Sequence, residues 1–359
     1  MSVVEAERDG ALGIIRLNRP EALNALNHTM VLTIAALLDE WEMDPGVERV
    51  LLVGSGERAF CAGGDVVSIY RDARATREGE AGGASGNSTS ADSDSLRFWR
   101  DEYTLNARIA RYPKPIIVLM DGIVLGGGVG LASHASHRVV TETSSVGLPE
   151  VTIGFVPDVG STWLLSRAPG ELGTHLALTA APVGGADAIL VGLADSFVPR
   201  EQLDRLRADL ASRGADESIE ALSVTPEPAP LLADREWIDS CYAHDDVSEI
   251  IVALRSAGRD AVADRIESKS PTALVLALAS LRSARHLPDL EAALEHELRV
   301  SARCLAMPDF AEGVRAQVID KDRNPRWSPA RLADVDPTSI AEFFEPLPGE
   351  ALFAERQSR

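Results

Sequence analysis

Three cysteines in 359 residues, Cys61, Cys241 and Cys304, are odd in number, scattered and without a C-x-x-C pair. That scarcity excludes a disulfide framework and a zinc knuckle, and suits a reducing compartment. No run approaches the roughly 18 apolar residues of a membrane-spanning helix. Positive charge is short: 35 Lys and Arg stand against 55 Asp and Glu, a formal charge of -20. Such a surface repels phosphate backbones and anionic lipid, so neither nucleic acid nor a membrane is an expected partner. The N-terminal "MSVVEAERDG" carries acids where a signal peptide has basic residues followed by an apolar run, and a cytoplasmic location is expected. Two common catalytic signatures are missing as well. No serine sits in a G-x-S-x-G elbow, and the dinucleotide fingerprint G-x-G-x-x-G, started at Gly126, fails at Leu131.

What is present can bury a large core: 45% of residues are hydrophobic, and the length suits one large domain with an extension, or two domains. "GALGIIRLNRP" (10–20) and "VERVLLVGSG" (47–56) are β-branched runs closed by Gly or Pro, with a helical pattern, "ALNHTMVLTIAALLDEWEMD", between them. "KPIIVLMDG" (114–122) predicts a further buried strand, and the glycine run after it leads into a helix, "GVGLASHAS". "SHRVVTETSSVGLPE" predicts a strand and loop, and "GSTWLLSRAPG" a helix closed by Gly170. Strands alternating with helices argue for an α/β layered core. From about residue 200 the patterns turn helical, as in "EQLDRLRADLASR" and "LEAALEHELRVSARCLA". The expected organisation is an α/β core over 1–200 and a helical region over 201–359. Inside the core, 77–95 ("REGEAGGASGNSTSADSDS") is small, polar and without apolar period, which predicts a flexible loop. An amphipathic helix, "LRFWRDEYTLNARIARYPKP", follows it.

Two glycine turns invite chemistry. "LGGGVG" (125–130) follows a buried strand and precedes a helix; "ERAFCAGGDV" (57–66) sets Gly63 and Gly64 after "VLLVGSG". Two such turns in one core can bring two backbone N–H groups to one point, an oxyanion hole for a carbonyl oxygen. A tight turn packed on a neighbouring element is the plainer alternative. Asp65 reads as a helix N-cap and Cys61 as a small core residue. His134 and His137 form an HxxH without an evident third ligand, so a packed or surface pair is expected rather than a metal site.

In "GLPEVTIGFVPDVGS" (147–161), Glu150 and Asp158 each follow a proline in an otherwise uncharged stretch. Pro149 can open a short helix with Glu150 in its first turn, and Asp158 can cap the helix that follows. Equally, Pro157 breaks any single helix and forces a turn at "GFVP", which lets both carboxylates face one cavity. An apolar setting there raises a carboxyl pKa and suits it to acid or base work. Glu102, set between aromatics in "FWRDEYTLN", is a solvated acid by default; its place after the flexible loop makes it a candidate too.

In this order, "GIIRLNRPEALNAL", "AFCAGGDV", "GIVLGGGVGLASH" and "LPEVTIGFVPDVG" resemble the crotonase, or enoyl-CoA hydratase/isomerase, superfamily, whose members bind acyl-CoA thioesters. "FWRDEYTLN", the pairing of "PE" with "PDVG", "SPTAL" and "FAEGVRAQVIDKDRNPRW" (310–327) resemble its 3-hydroxyisobutyryl-CoA hydrolase branch, thioesterases of valine degradation. The likeness runs over nearly the whole chain. It implies a crotonase-like spiral core of ββα turns with a helical C-terminal region, and hydrolysis of a short 3-hydroxyacyl-CoA. No separate cofactor is implied, because CoA is part of the substrate.

Carried over by position, the resemblance gives the oxyanion hole to Gly64 and Gly127, the main catalytic carboxylate to Glu150 and a second active-site acid to Asp158. Glu102 joins Gly127, Glu150 and Asp158 in contact with the substrate. Hydratases of the superfamily usually carry a second glutamate at the position of Gly130; its absence argues against water addition, with hydratase or double-bond isomerase as the alternative. Ser161 and Thr162 stand where the branch tends to have glycines, a change that could narrow or rewet the pocket. The CoA phosphates need local cations, for which Lys321, Arg323 and Arg326 are candidates. Crotonases commonly form trimers or hexamers, so the helical region could cover its own core or pack on other copies.

Overall fold

The computed structural model describes the backbone of residues 2–81, 93–347 and 351–353, and their side chains except those of 75–81. Nine strands are described: β1 (Val4–Asp9), β2 (Leu12–Leu17), β3 (Arg49–Gly54), β4 (Ala59–Cys61), β5 (Ile116–Met120), β6 (Ile123–Leu125), β7 (His137–Val140), β8 (Ser145–Gly147) and β9 (Ser196–Phe197). One sheet runs β1-β2-β3-β5-β7-β9 and a smaller one β4-β6-β8. Every pairing is parallel except that of β1 with β2.

The order repeats a unit. β3 then β4, β5 then β6, and β7 then β8 each place one strand in the large sheet and the next in the small one, and helical structure follows each pair. Parallel neighbours cannot be joined by a tight hairpin, so each turn of chain must cross over before it pairs again. The result is a ββα spiral, and the α/β fold class inferred from the sequence holds. The central strands are buried on both faces: all five residues of β5 and the first five of β3, Arg49 among them, are buried, as in a parallel sheet covered on both sides.

By packing, the chain forms two compact units, each discontinuous. The first is Met1–Gly64, Thr104–Leu148 and Pro182–Asp234; the second is Asp65–Tyr103, Pro149–Ala181 and Arg235–Arg359. In the first, alternate residues of β2, β3 and β5 (Leu12, Ile14, Leu51, Val53, Ile117, Leu119) meet Leu206 and Leu210 of helix Leu203–Ser212 and Ile219 of helix Ala215–Glu220. The period of two along each strand puts these side chains on one face. In the second, helix Pro271–Ala284 is buried nearly all round and so runs through the interior. The Ser270 hydroxyl caps it by accepting Ala273 N–H at 3.1 Å, and Pro271 occupies the first turn.

Three expectations need correction. The segment 77–95 is not one loop: helix Val66–Ala81 enters it and helix Asp94–Ala110 begins inside it, while 82–92 lie outside the described residues. The helix in "GSTWLLSRAPG" spans only Ser161–Leu165, and the left-handed Gly170 precedes the next helix, Leu172–Thr179, instead of closing this one. Strands β1, β4, β6, β8 and β9 escaped the sequence. β1 is polar and exposed along most of its length, and the others have two or three residues, too few to show a period.

Candidate active site

The first unit holds the glycine turns. β4 pairs with β6, so the loops that leave them run side by side. Leu26 N–H donates to Gly63 O at 2.8 Å and Ala62 N–H to Leu23 O at 3.0 Å, pinning the first loop. Gly63 has φ 106, a conformation that favours glycine, and a Cβ there would lie 3.3 Å from Leu125 O and 3.9 Å from Gly127 N. The glycine run then opens helix Gly127–Ala132. Gly127 is at its N-terminus, where N–H groups have no partner in the helix. Among the described residues, neither Gly127 N–H nor Gly64 N–H has a backbone acceptor. The two turns are thus in direct apposition, each with an amide to offer. Gly128 makes this possible, because a Cβ on it would fall on the Cys61 carbonyl. Gly128→Ala is therefore expected to cost about 1–3 kcal/mol by overpacking, read as a lower urea midpoint at unchanged m-value.

The second unit holds the acids. Glu150 opens a single 3-10 turn, Glu150–Ile153, right after Pro149, so it does occupy a first helical turn. Left-handed Gly154 (φ 69) closes that turn with its N–H to Glu150 O; a Cβ there would strike the Asp309 backbone. Past Pro157 the chain turns sharply. Val159 has φ 56, rare for a β-branched residue, and Gly160 has φ 78.

Asp158 does not cap the helix after it. Its Oδ2 accepts the Tyr103 hydroxyl at 2.7 Å instead. The capping is done from helix Leu290–Ala306 by Glu297: Oε2 accepts Gly160 N–H at 2.6 Å, and Oε1 accepts Thr162 N–H at 2.9 Å and the Thr162 hydroxyl at 2.5 Å.

Electrostatically, Asp158 is the common neighbour of this cluster. Glu102, Glu150, Asp158 and Glu297 are all buried, and burial disfavours the ionised form of each. It pushes Asp158 up to about 7, against the Tyr103 hydrogen bond, and Glu297 up to about 8, against its three donors. Burial, and after it the charge of Asp158, holds Glu102 and Glu150 well above the usual carboxyl range. Among the described residues, the charges that raise Glu102, Glu150 and Glu297 are carboxylates, with no cation opposing them. Glu102 Oε1 and Glu150 Oε2 have no hydrogen-bond partner among the described residues. Phe155, between the two loop acids, stacks on Trp99 at 5.3 Å and lies against Phe310 at 5.6 Å. Buried carboxyls with raised proton affinity and an unpartnered oxygen, as in Glu102 and Glu150, are candidates for function.

Glu102 is therefore buried, not the solvated acid expected by default. The Asp65 carboxylate does cap its helix, loosely, at 3.4 Å from Ser68 N–H. Cys61 is a buried core residue beside its glycine turn, with its thiol 3.6 Å from Gly63 O. His137 contacts the Ser136 hydroxyl at 2.9 Å and Asp216 at 3.1 Å. No group of three metal-ligating side chains is present among the described residues. Thr162 is absorbed by Glu297, whereas Ser161 Oγ is buried without a partner among the described residues. Lys321 and Arg323 take left-handed backbone on an exposed stretch, while Arg326 lines a cavity of about 340 Å³ with Tyr70, Arg74 and Arg315.

Two residues of the cluster had no place in the sequence reading. Tyr103 sits beside Glu102 in "FWRDEYTLN", where a tyrosine looks like core packing. Glu297 lies on a helical stripe with Leu294, Leu298 and Ser301, all buried; an acid on an apolar stripe is the signal that could have found it.

The model of the enoyl-CoA hydratase/isomerase family matches residues 12–344. The chain belongs to that family. The mitochondrial 3-hydroxyisobutyryl-CoA hydrolase of Rattus norvegicus is 37% identical over 355 residues, 95% of this chain and 88% of that protein. 3-Hydroxyisobutyryl-CoA hydrolase 1 of Arabidopsis thaliana is 35% identical over 362 residues, 96% and 92% of the two chains. Among solved structures, a carnitinyl-CoA dehydratase from Mycobacterium thermoresistibile superposes with TM-score 0.91 at 45% identity, covering 99% of this chain and 100% of that one. An enoyl-CoA hydratase from Rhodobacter sphaeroides 2.4.1 gives TM-score 0.87 at 39% identity over 98% and 99%. The full-length curated relatives are named as hydrolases and the two solved structures as a dehydratase and a hydratase, so one fold carries more than one reaction.

Proposed function

We propose that this family member hydrolyses a short 3-hydroxyacyl-CoA thioester, 3-hydroxyisobutyryl-CoA first among them, to the free acid and CoA, as in valine breakdown. Glu150 carries the proposal: a buried carboxyl with an unpartnered oxygen, its proton affinity raised by burial and by Asp158. The 35–37% identity to 3-hydroxyisobutyryl-CoA hydrolases over nearly the full chain supports the substrate.

In this scheme the amides of Gly64 and Gly127 form an oxyanion hole for the thioester oxygen; one such donor is typically worth about 10²–10³ in rate. The Glu150 carboxylate either attacks the thioester carbon, forming a mixed anhydride that water then opens, or takes a proton from the attacking water. Either way the C–S bond breaks, and thioester plus water become carboxylate, thiol and one proton. Asp158, with its midpoint at about 7, returns a proton to the departing thiolate or binds the acyl hydroxyl, which Glu102 helps to hold. The scheme calls for no cofactor beyond the CoA of the substrate, and for a cytoplasmic enzyme.

A second scheme, addition or removal of water at a double bond, draws on the names of the two solved structures and fits less well than hydrolysis, which the full-length hydrolase relatives support. Gly130 also weighs against this second scheme. Incubation with 3-hydroxyisobutyryl-CoA and with short enoyl-CoA esters, followed by a thiol-reactive dye and by enoyl absorbance, separates the two. Thiol release from the hydroxy ester that a Glu150→Ala protein lacks is expected; enoyl turnover with no thiol above that control overturns hydrolysis.

A further inference from the structure

Tyr103 is fully buried and has no part in the scheme above. Its hydroxyl donates to Asp158 Oδ2 at 2.7 Å and lies 2.9 Å from Ser301 Oγ. A phenol has one proton. Given to Asp158, it leaves the phenol oxygen as an acceptor, so the Ser301 hydroxyl must donate, and the chain runs Ser301 to Tyr103 to Asp158. Such a chain polarises along its length and strengthens the terminal bond. We infer that Tyr103, backed by Ser301, is a positioning residue that fixes the Asp158 carboxyl and sets the pH at which it exchanges its proton. The inference rests on Asp158 being a working acid of the proposed hydrolysis.

The surroundings of Asp158 leave this task to Tyr103. The left-handed Val159 and Gly160 fix its backbone from one side, and the phenol fixes the carboxyl end. The titratable groups that face it are Glu102 and Tyr103 from helix Asp94–Ala110, Glu150 from the 3-10 turn, and Glu297 and Cys304 from helix Leu290–Ala306. Each of these is neutral or negative. With no cation in the set, hydrogen bonds from Tyr103 and from the backbone are what favour the ionised carboxyl against burial.

Tyr103→Phe keeps the ring and removes only the hydroxyl. With aspartate labelled by ¹³C at the side-chain carboxyl, and the signal assigned by its loss in Asp158→Asn, the Asp158 midpoint is expected to rise by roughly 1 to 2 pH units. Ser301→Ala shifts it the same way by less. The matching limb of the kcat/KM profile for thiol release moves by the same amount. A side chain that merely fills space lowers activity evenly at all pH and leaves the midpoint in place, and that outcome in either variant overturns the inference. Should Tyr103→Phe not fold, Ser301→Ala decides alone. The carboxyl titration needs no substrate, so variants that shift the Asp158 midpoint as expected, beside a wild-type protein that releases no thiol, mark failure of the hydrolysis scheme and not of the Tyr103 contact.

Discussion

Glu150→Gln is expected to slow thiol release at least about a thousandfold while making the protein more heat-stable in alkaline buffer. The loss follows from either role given to the carboxylate, since an amide neither attacks a thioester nor accepts a proton from water. The gain follows from linkage. Burial holds the Glu150 carboxyl well above its ordinary value of 4.5, so the native state binds a proton that the unfolded chain gives up. Stability from this group is therefore complete below pH 4.5 and is lost as pH rises through the native midpoint. Glutamine carries no such penalty, and the melting-temperature difference between variant and wild type should widen as pH rises from 4.5 to the native midpoint and hold level above it. Loss of function with gain of stability is what a strained working group produces. If thiol release persists and the melting temperature drops at every pH, Glu150 is only the first residue of a 3-10 turn.

Glu297→Ala should be among the most destabilising single changes in the second unit. It strips the acceptor from Gly160 N–H, Thr162 N–H and the Thr162 hydroxyl, all in a buried turn. An orphaned buried donor costs about 1–3 kcal/mol, so three together cost on the order of 3–6 kcal/mol, allowing for non-additivity. Against a typical total of about 5–15 kcal/mol that is a large fraction. Urea titration should show a midpoint far below wild type. Glu297→Gln, which keeps one acceptor oxygen but turns an NH₂ toward a donor, should fall between, and Thr162→Val should cost the least. Activity should fall in the same order, because the turn that loosens is the one that carries Asp158. A near-wild-type midpoint for Glu297→Ala would show that the Val159–Gly160 turn holds itself.

Much of this was open to inspection in the chain. Asn27, read inside a helical stretch, is the N-cap of helix His28–Met43, its side chain accepting Met30 N–H at 2.9 Å. The "LGGGVG" and "CAGGD" glycines stand out in the chain, but their apposition follows from the parallel pairing of β4 with β6, two three-residue strands too short to show a period. Pro149 opened a helical turn as expected. Asp158, by contrast, looked like a cap and is not one. Its own helix is five residues long and its N-cap is Gly160, so the partners come from far along the chain: Tyr103 is 55 residues away, and Glu297 reaches Gly160 across 137. Glu102 looked solvated because charge on an amphipathic helix usually is, and nothing local shows which face of that helix is covered.

The sequence by itself determined the alternation of strands and helices, the glycine turns and the two proline-led acids, since each rests on backbone sterics and short-range periodicity. Tertiary structure decided that a tyrosine would answer Asp158, that a distant glutamate would hold its turn, and that four carboxyls would share one buried cluster. Desolvation and hydrogen-bond partnership belong to everything packed around a group, and no local stretch of the chain contains them.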